Sequence, residues 1–357
     1  MEIKIGNQMI GANHPTYFIA DIAANHDGDL DRAIKLIRLA KEAGADAAKF
    51  QNFRAAQIVS DYGFKAMGKQ VSHQAGWTKS VFEVYDAASV SFEWTPVLKE
   101  ACEEFGIHYY SSPYDYEAID HLDPYVPAYK AGSGLISWPE ALVRMAKKDK
   151  PFIMATGASD MGDVVRAVRA VQAVNKQVIL MQCNTNYTAS PDNYDHLHIN
   201  VLKTYAVMFP DVVLGLSDHT HSVAPVLGAV ALGARVIERH FTDSNEREGP
   251  DHKFALNPEN WAKMVAETRI LERTLGSSDK FVAGNEQETY QLQRRCLRAG
   301  REIKAGEVFT REMIDVLRPA TPGALMSWDM NEVIGMRARV DMPYGKELRW
   351  TDLEEAK

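Results

Sequence analysis

The chain has 357 residues, with 40 basic against 48 acidic side chains, a net charge of −8, an apolar fraction of 46% and a charged fraction of 25%. That length suits one large barrel plus a small accessory domain, and the composition excludes wholesale disorder. The acidic balance argues against non-specific binding to nucleic acid or to anionic membranes, while leaving room for a local basic pocket with an anionic substrate.

The start, Met1-Glu-Ile-Lys-Ile-Gly6, carries an acid at position 2 and no apolar core, so it does not read as a secretory signal. Short apolar runs then alternate with helical patterns. The runs cover 17–23, 47–51, 107–111, 128–131, 152–156, 178–183, 212–216 and 235–240. Each is mostly continuous rather than alternating, as parallel strands buried on both faces require. Between them, 31–43, 93–105, 139–148, 160–173, 201–209, 223–232 and 258–275 carry apolar residues at helical spacing. In the first of these, Ala33, Ile34, Ile37, Leu39 and Ala40 form the expected core stripe, and Gly44 has the permissive φ of a helix stop. The stretch 64–83, rich in Gly, Ser, His and Lys, reads as a long loop near the active face. The apolar stretch 223–236 comes nearest to a membrane span, but Pro225 and several glycines interrupt it. Eight strands alternating with helices predict an α/β fold, a (β/α)8 TIM barrel over 1–275. A doubly wound open sheet is the rival, weakened because no GxGxxG follows the first run.

Residues 276–290 are polar and glycine-bearing and read as a linker. From 291 to 357, strand-like pieces at 308–310, 314–317 and 337–340 are separated by turns at Lys304-Ala-Gly306 and Pro343-Tyr-Gly345. They predict a small, mostly β domain, which docking against another barrel would stabilise. Cys102, Cys183 and Cys296 are isolated, with no CxxC, and suggest neither a disulfide framework nor a zinc knuckle. The expectation is a cytoplasmic enzyme.

In such a barrel, functional groups sit at the C-terminal ends of the strands. Read in order, those ends offer Asp21, Asn25 and His26; Lys49 and Gln51; Ser111 and Ser112; Lys130 and Ser133; Thr156; Gln182, Asn184 and Tyr187; Ser217, Asp218 and His219; and Glu238 and His240. Buried lysines need an anionic partner, which a phosphate or carboxylate substrate would supply; structural pairing with nearby carboxylates is the alternative. His219 and His240, at the ends of adjacent strands, suit a divalent ion such as Mn²⁺ or Zn²⁺, and His26 and His252 are further candidate ligands. His219 and His221 form a His-x-His, but on the seventh strand, where a metal-dependent hydrolase would have it on the first.

Several segments together resemble the sialic acid synthase family, whose members are phosphoenolpyruvate-dependent synthases of nine-carbon keto sugar acids. They are Phe18-Ile-Ala-Asp-Ile-Ala-Ala-Asn-His-Asp-Gly28, Ala45-Asp-Ala-Ala-Lys-Phe-Gln51, Ala128-Tyr-Lys-Ala-Gly-Ser-Gly134, Gly215-Leu-Ser-Asp-His-Thr220 and Glu238-Arg-His-Phe-Thr-Asp243. The tail, Arg295-Cys-Leu-Arg-Ala-Gly-Arg-Glu-Ile-Lys-Ala-Gly306 with Leu317-Arg-Pro319, resembles that family's antifreeze-like SAF domain. The resemblance runs in order through nearly the whole chain.

It implies that Lys49, Lys130, Ser133 and Ser217, with Asn184 or Thr185, hold phosphoenolpyruvate. It implies that His219 and His240 bind Mn²⁺, with Mg²⁺ or Co²⁺ as alternatives, to polarise the open-chain aldehyde of an N-acetylated hexosamine such as N-acetylmannosamine. Asp21 would position or deprotonate a water, making it catalytic with the two lysines. Gln51, Tyr187 and Asp251 match acceptor-side positions, and Arg318 matches an arginine that reaches the partner's barrel in a domain-swapped homodimer. Four positions depart from the pattern: Asp21 where Glu is usual, Leu135 where an acid is common, Ala155 where Ser is common, and Gln182. Leu135 in particular suggests an acceptor deoxygenated or differently substituted there. The alternatives are a synthase that uses a sugar phosphate and a non-catalytic sugar-binding barrel; a metal-dependent hydrolase is the weakest reading.

Overall fold

The computed structural model describes residues 1–67, 74, 77 and 79–356, and it divides into two units, Met1–Gly276 and Ser277–Lys357. The first unit begins with an antiparallel hairpin, β1 (Glu2–Ile5) and β2 (Gln8–Gly11), which the sequence reading did not anticipate. Alternation explains it: Ile3, Ile5 and Ile10 are buried while Glu2 and Lys4 are exposed.

Eight parallel strands follow: β3 (Tyr17–Asp21), β4 (Ala47–Asn52), β5 (His108–Pro113), β6 (Tyr129–Ala131), β7 (Phe152–Ala155), β8 (Val178–Cys183), β9 (Val213–Asp218) and β10 (Ala234–His240). Their order is β5-β4-β3-β10-β9-β8-β7-β6, and β5 and β6 run beside each other, so the sheet is a nearly closed TIM-like barrel. Helices cover its outside. Their N-termini carry the expected caps: Asp29 accepts from the Arg32 amide, and Asp160 forms a capping box with Asp163. Of the helices, Tyr116–Leu122 is one the sequence reading passed over.

The first helix, Leu30–Glu42, differs in detail from expectation. Its buried face is Arg32, Ala33, Leu36, Ile37 and Ala40, while Ile34 and Leu39 only flank it. Arg32 is buried because its guanidinium is fully engaged, donating to both Asp243 oxygens at 2.9 and 2.7 Å and to the Asn25 carbonyl at 2.8 Å. Part of the predicted 64–83 loop is helical, in Asp61–Met67 and Val81–Ala88; the rest of that prediction, at 68–73, 75–76 and 78, lies outside the described residues.

Inside the barrel, side chains of period 2 change character from bottom to top. The lower layers are apolar, with Tyr17, Ile19, Ala47, Tyr110, Ala128, Ile153, Ile179, Val213 and Val236 in one cluster with Ile3, Ile5 and Ile10 of the hairpin. The hairpin therefore plugs the N-terminal end. One or two steps further along the same strands the inward residues are Asp21, Lys49, Lys130, Ser217 and Glu238, all buried. Gly215, between Val213 and Ser217, falls in this inward series, and glycine is required there because a Cβ would lie 2.7 Å from the Val236 carbonyl. No helix among the described residues is long and apolar enough to cross a membrane.

The second unit has its own core of Leu297, Ile303, Phe309, Ile314, Val333, Met342 and Leu348, among others. Around it lie two small antiparallel pairs, β11 (Cys296–Ala299) with β12 (Ile314–Leu317), and β13 (Arg337–Ala338) with β14 (Leu353–Glu354). The predicted strand at 308–310 is absent; Val308 makes a single bridge to Arg337, and a 3₁₀ turn, Arg311–Met313, follows. Residues 276–290, read as a linker, include the start of a helix, Gln287–Gln293. The three cysteines are free and buried.

Candidate active site

The upper inward layer opens into a cavity of about 460 Å³ lined by Asp21, Lys49, Gln51, Lys130, Ser133, Ala155, Thr185, Tyr187, Ser217, His219, Glu238 and His240, with others. Most of the residues picked out from the sequence therefore converge on one mouth. Both lysines have carboxylate partners there. Lys49 Nζ is 2.6 Å from Asp21 and 3.6 Å from Glu238, and Lys130 Nζ donates to Glu238 at 3.0 Å. Ser217 also donates to Glu238, at 3.2 Å, and Gln51 donates to Asp21 at 3.3 Å. Of the two partners the sequence left open, a substrate anion or nearby carboxylates, the carboxylates are in place, and the lysines sit in a pre-paired cluster. Such pairing is what makes burial of four charges tolerable in the absence of ligand.

Burial alone would raise the Glu238 carboxyl, but Lys130 and Lys49 outweigh it and hold Glu238 down to about 2. For Asp21 burial wins, with the Glu238 charge adding to it, and the carboxyl lies above the usual range despite Lys49. Burial pulls Lys130 below the ordinary lysine value, whereas Asp21 and Glu238 overcome burial at Lys49 and keep it firmly cationic.

His219 and His240 stand with ring centroids 5.3 Å apart, and Tyr187 and Phe254 pack edge-on against both. Burial, then the neighbouring imidazole, lowers His219 to about 4; burial, then Lys49, lowers His240 to about 3. Both are thus neutral at pH 7, the form that ligates metals. The His219 Nδ1–H donates to the Asn184 carbonyl at 2.8 Å, which leaves the Nε2 lone pair free, and the buried Nδ1 of His240 has no hydrogen-bond partner. These two rings fit a divalent cation. Among the described residues no cluster of three or more His, Cys, Asp or Glu ligands exists, so the remaining ligands would come from water or substrate.

His252, considered as a further ligand, has both nitrogens occupied, Nδ1 by Thr242 at 2.7 Å and Nε2 by Asp27 at 2.9 Å. His26 is buried, accepts from the Gly28 amide through Nδ1, and packs edge-on against Trp94. His221 is exposed. Asp251 lies in an adjoining cavity of about 210 Å³ shared with Gln51, Tyr114, Tyr187 and His240. Its carboxylate accepts from the Ala24 amide at 3.2 Å and lies 3.9 Å from His240 Nδ1, and burial raises its pKa to about 7.

Asn184 and Thr185 separate. Thr185 lines the mouth, whereas the Asn184 side chain donates to the His196 carbonyl and accepts from the Asn186 amide, within a neighbouring groove. Ser133 accepts from the Gly157 amide at 3.0 Å. Leu135 is packed in the barrel's outer core and does not line the mouth, which removes the reason to read an altered acceptor from it. Asn25, Thr156 and Gln182 donate to the Phe241, Met181 and Leu197 carbonyls, and Ser111 to Asn52, so these serve the loops and strands. Arg318 belongs to the second unit, directly after β12. Sequence reasoning gave Glu238 no role, although its position two before His240 on an inward-facing strand was the available signal; Tyr114 and Phe254 carried no such mark.

Fold and site define a TIM-like barrel with a polar, metal-competent mouth, followed by a small domain of antiparallel pairs. Residues 36–280 match the NeuB family and residues 294–354 the SAF domain. The chain belongs to the NeuB family. It is 32% identical to the N,N'-diacetyllegionaminic acid synthase of Legionella pneumophila, over 96% of this chain and 96% of that one. It is 31% identical to the human N-acetylneuraminate-9-phosphate synthase, over 93% of this chain and 90% of that one. The solved structure of the spore coat polysaccharide biosynthesis protein SpsE of Bacillus subtilis superimposes with a TM-score of 0.65 at 31% identity, covering 100% of both chains.

Proposed function

We propose that the chain is a phosphoenolpyruvate-dependent synthase of a nonulosonic acid, joining the donor to an N-acetylated hexosamine (N-acetylmannosamine or a related acceptor) with release of phosphate. The observation that carries the reading is the meeting of two buried lysines, two buried carboxylates and two neutral imidazoles at one mouth. The names of the relatives supply the product class.

In this reading Lys49, Lys130, Ser133, Ser217 and Thr185 hold the donor's phosphate and carboxylate, and Asn184 acts through its carbonyl on His219. Gln51, Tyr187 and Asp251 face the acceptor. Arg318, supplied by the partner of a domain-swapped homodimer, contacts the acyl group. His219 and His240 would hold the divalent ion, Mn²⁺ first and Mg²⁺ or Co²⁺ next, which when bound supplies Lewis-acid polarisation of the sugar aldehyde. The C2=C3 π pair of the donor forms the bond to the aldehyde carbon, leaving a cationic centre at C2, while the aldehyde oxygen takes up a proton from solvent. Water then adds at C2, and the C2–O bond to phosphate breaks as the new C2 hydroxyl loses its proton to the departing phosphate, leaving the keto group. Asp21 accepts that water's proton, and burial makes it a stronger base than a free aspartate. The paired lysines keep the donor's charge in a site preorganised before it arrives. The work is expected to take place in the cytoplasm.

Phosphorus NMR tests the reading directly. With Mn²⁺ and phosphoenolpyruvate, phosphate should appear with one member of a panel of N-acetylmannosamine, its 6-phosphate and 2,4-diacetamido-6-deoxyhexoses, and a chelator should stop it. The phosphorylated arm is included because one relative is named for a 9-phosphate product. No phosphate with any acceptor would overturn the proposal in favour of a non-catalytic sugar-binding barrel.

A further inference from the structure

The two imidazoles of the mouth share an arrangement behind them. β9 and β10 are adjacent and parallel, and their register sets Ser217 opposite Glu238 and Asp218 opposite Arg239. Side chains alternate along each strand, so Ser217 and Glu238 face the mouth and are bonded there, while Asp218 and Arg239 face away, into the layer between barrel and helices. Each outward residue immediately precedes one of the histidines.

Asp218 and Arg239 are buried together, with Arg239 Nε 3.4 Å from Asp218 Oδ2 and side-chain exposures of 1% and 0%. Asp218 also accepts the Thr220 amide at 3.0 Å and the Thr220 hydroxyl at 3.1 Å. Arg239 reaches on to the Ser222 carbonyl at 3.0 Å, and its Nη2 is buried with no partner. A guanidinium from β10 therefore grips both ends of the segment 218–222, the segment that carries His219. A buried ion pair adds little net stability over an apolar pair of similar size, so its position asks for another explanation.

We propose that Asp218 and Arg239 are positioning residues, a buried clamp on the far side of β9 and β10 that fixes the separation and aim of His219 and His240 for a divalent cation. This rests on the assignment of those histidines as the metal ligands. Outer groups that orient ligand histidines are commonly worth 10- to 100-fold in metal affinity.

The test is Mn²⁺ affinity, measured by electron paramagnetic resonance of free Mn²⁺ on the full chain, beside thermal stability on the same samples. The double variant Asp218→Asn/Arg239→Gln keeps a neutral hydrogen-bonding pair and leaves no unpaired buried charge. It should melt within a few degrees of wild type yet bind Mn²⁺ about tenfold or more weakly. Arg239→Lys keeps the charge beside Asp218 but cannot also reach the Ser222 carbonyl, and should show a smaller loss; if the double variant fails to fold, this variant decides alone. Wild-type Mn²⁺ affinity in a folded variant would overturn the clamp while leaving the ligand assignment standing. His219→Ala is the control, and Mn²⁺ affinity unchanged in it would overturn both.

Discussion

Lys130 illustrates what one side chain in the mouth must reconcile. It is buried against Glu238, a carboxylate that also serves Ser217 and lies near Lys49. Lys130→Met leaves Glu238 short of a cation, and breaking a buried pair in this way costs about 3–5 kcal/mol. The variant should unfold at markedly lower urea concentration and lose phosphoenolpyruvate turnover at least about 100-fold; wild-type values of either would contradict the pairing. Gly157 makes a subtler case. A Cβ there would collide with the Thr185 methyl carbon and lie 2.9 Å from Ser133 Oγ, so Gly157→Ala must displace two groups assigned to the donor. Steady-state kinetics should show a donor KM raised several-fold with the acceptor KM nearly unchanged. Lys49, Lys130 and the two histidines could be picked out of the sequence because each lies at or near the C-terminal end of an apolar run. Carboxylate pairing of the lysines stood among the readings, but its partners were not legible: inward-facing position can be counted from period 2, whereas which neighbour across the barrel supplies the partner depends on register and shear. Leu135 misled for a related reason, since a 3₁₀ turn, Ser133–Ser137, rotates it into the core.

At the scale of elements, the eight strands were readable because continuous apolar runs leave little alternative in a chain of this length, and the helices because their stripes are wide. The hairpin β1–β2 escaped because four-residue strands carry only two inward side chains each, too few to stand out. Its contribution is nevertheless substantial. Ile5 is fully buried, so Ile5→Ala should cost about 3 kcal/mol in denaturant unfolding, with turnover per folded molecule preserved. The loops after β3 and β10 are held by a second device, the bidentate pair of Arg32 with Asp243. Burial would raise the Asp243 carboxyl, but Arg32 and Lys35 outweigh it and hold it at about 2. An unfolded aspartate titrates near ~3.9, so the depressed group stabilises the fold by roughly 2 kcal/mol above that pH. That contribution is lost as pH falls from about 4 towards 2. Asp243→Asn should remove it at pH 7 and flatten the acid limb of the stability profile; an unchanged limb would place the acid sensitivity elsewhere.

For the whole molecule, the two units have separate cores, and Arg318 lies in the smaller one. If the partner's Arg318 completes the acceptor side, Arg318→Ala should raise the acceptor KM with the donor KM nearly unchanged. Equal loss for both substrates would count against that role. The units divide after Gly276, where the composition turns polar, whereas the strand expected at 308–310 was not made, because Val308 finds a single bridging partner rather than a ladder. The isoleucine plug has a last consequence, for traffic. A barrel packed at its lower end opens at the upper one, so in the proposed reaction both reactants would reach the lysines from the rim side. On the proposed reading the donor, seated on the deep lysines, would enter before the sugar, which would rest nearer the rim on Tyr187 and the one-fifth-exposed Asp251. In the proposed reaction the deepest place would fill first.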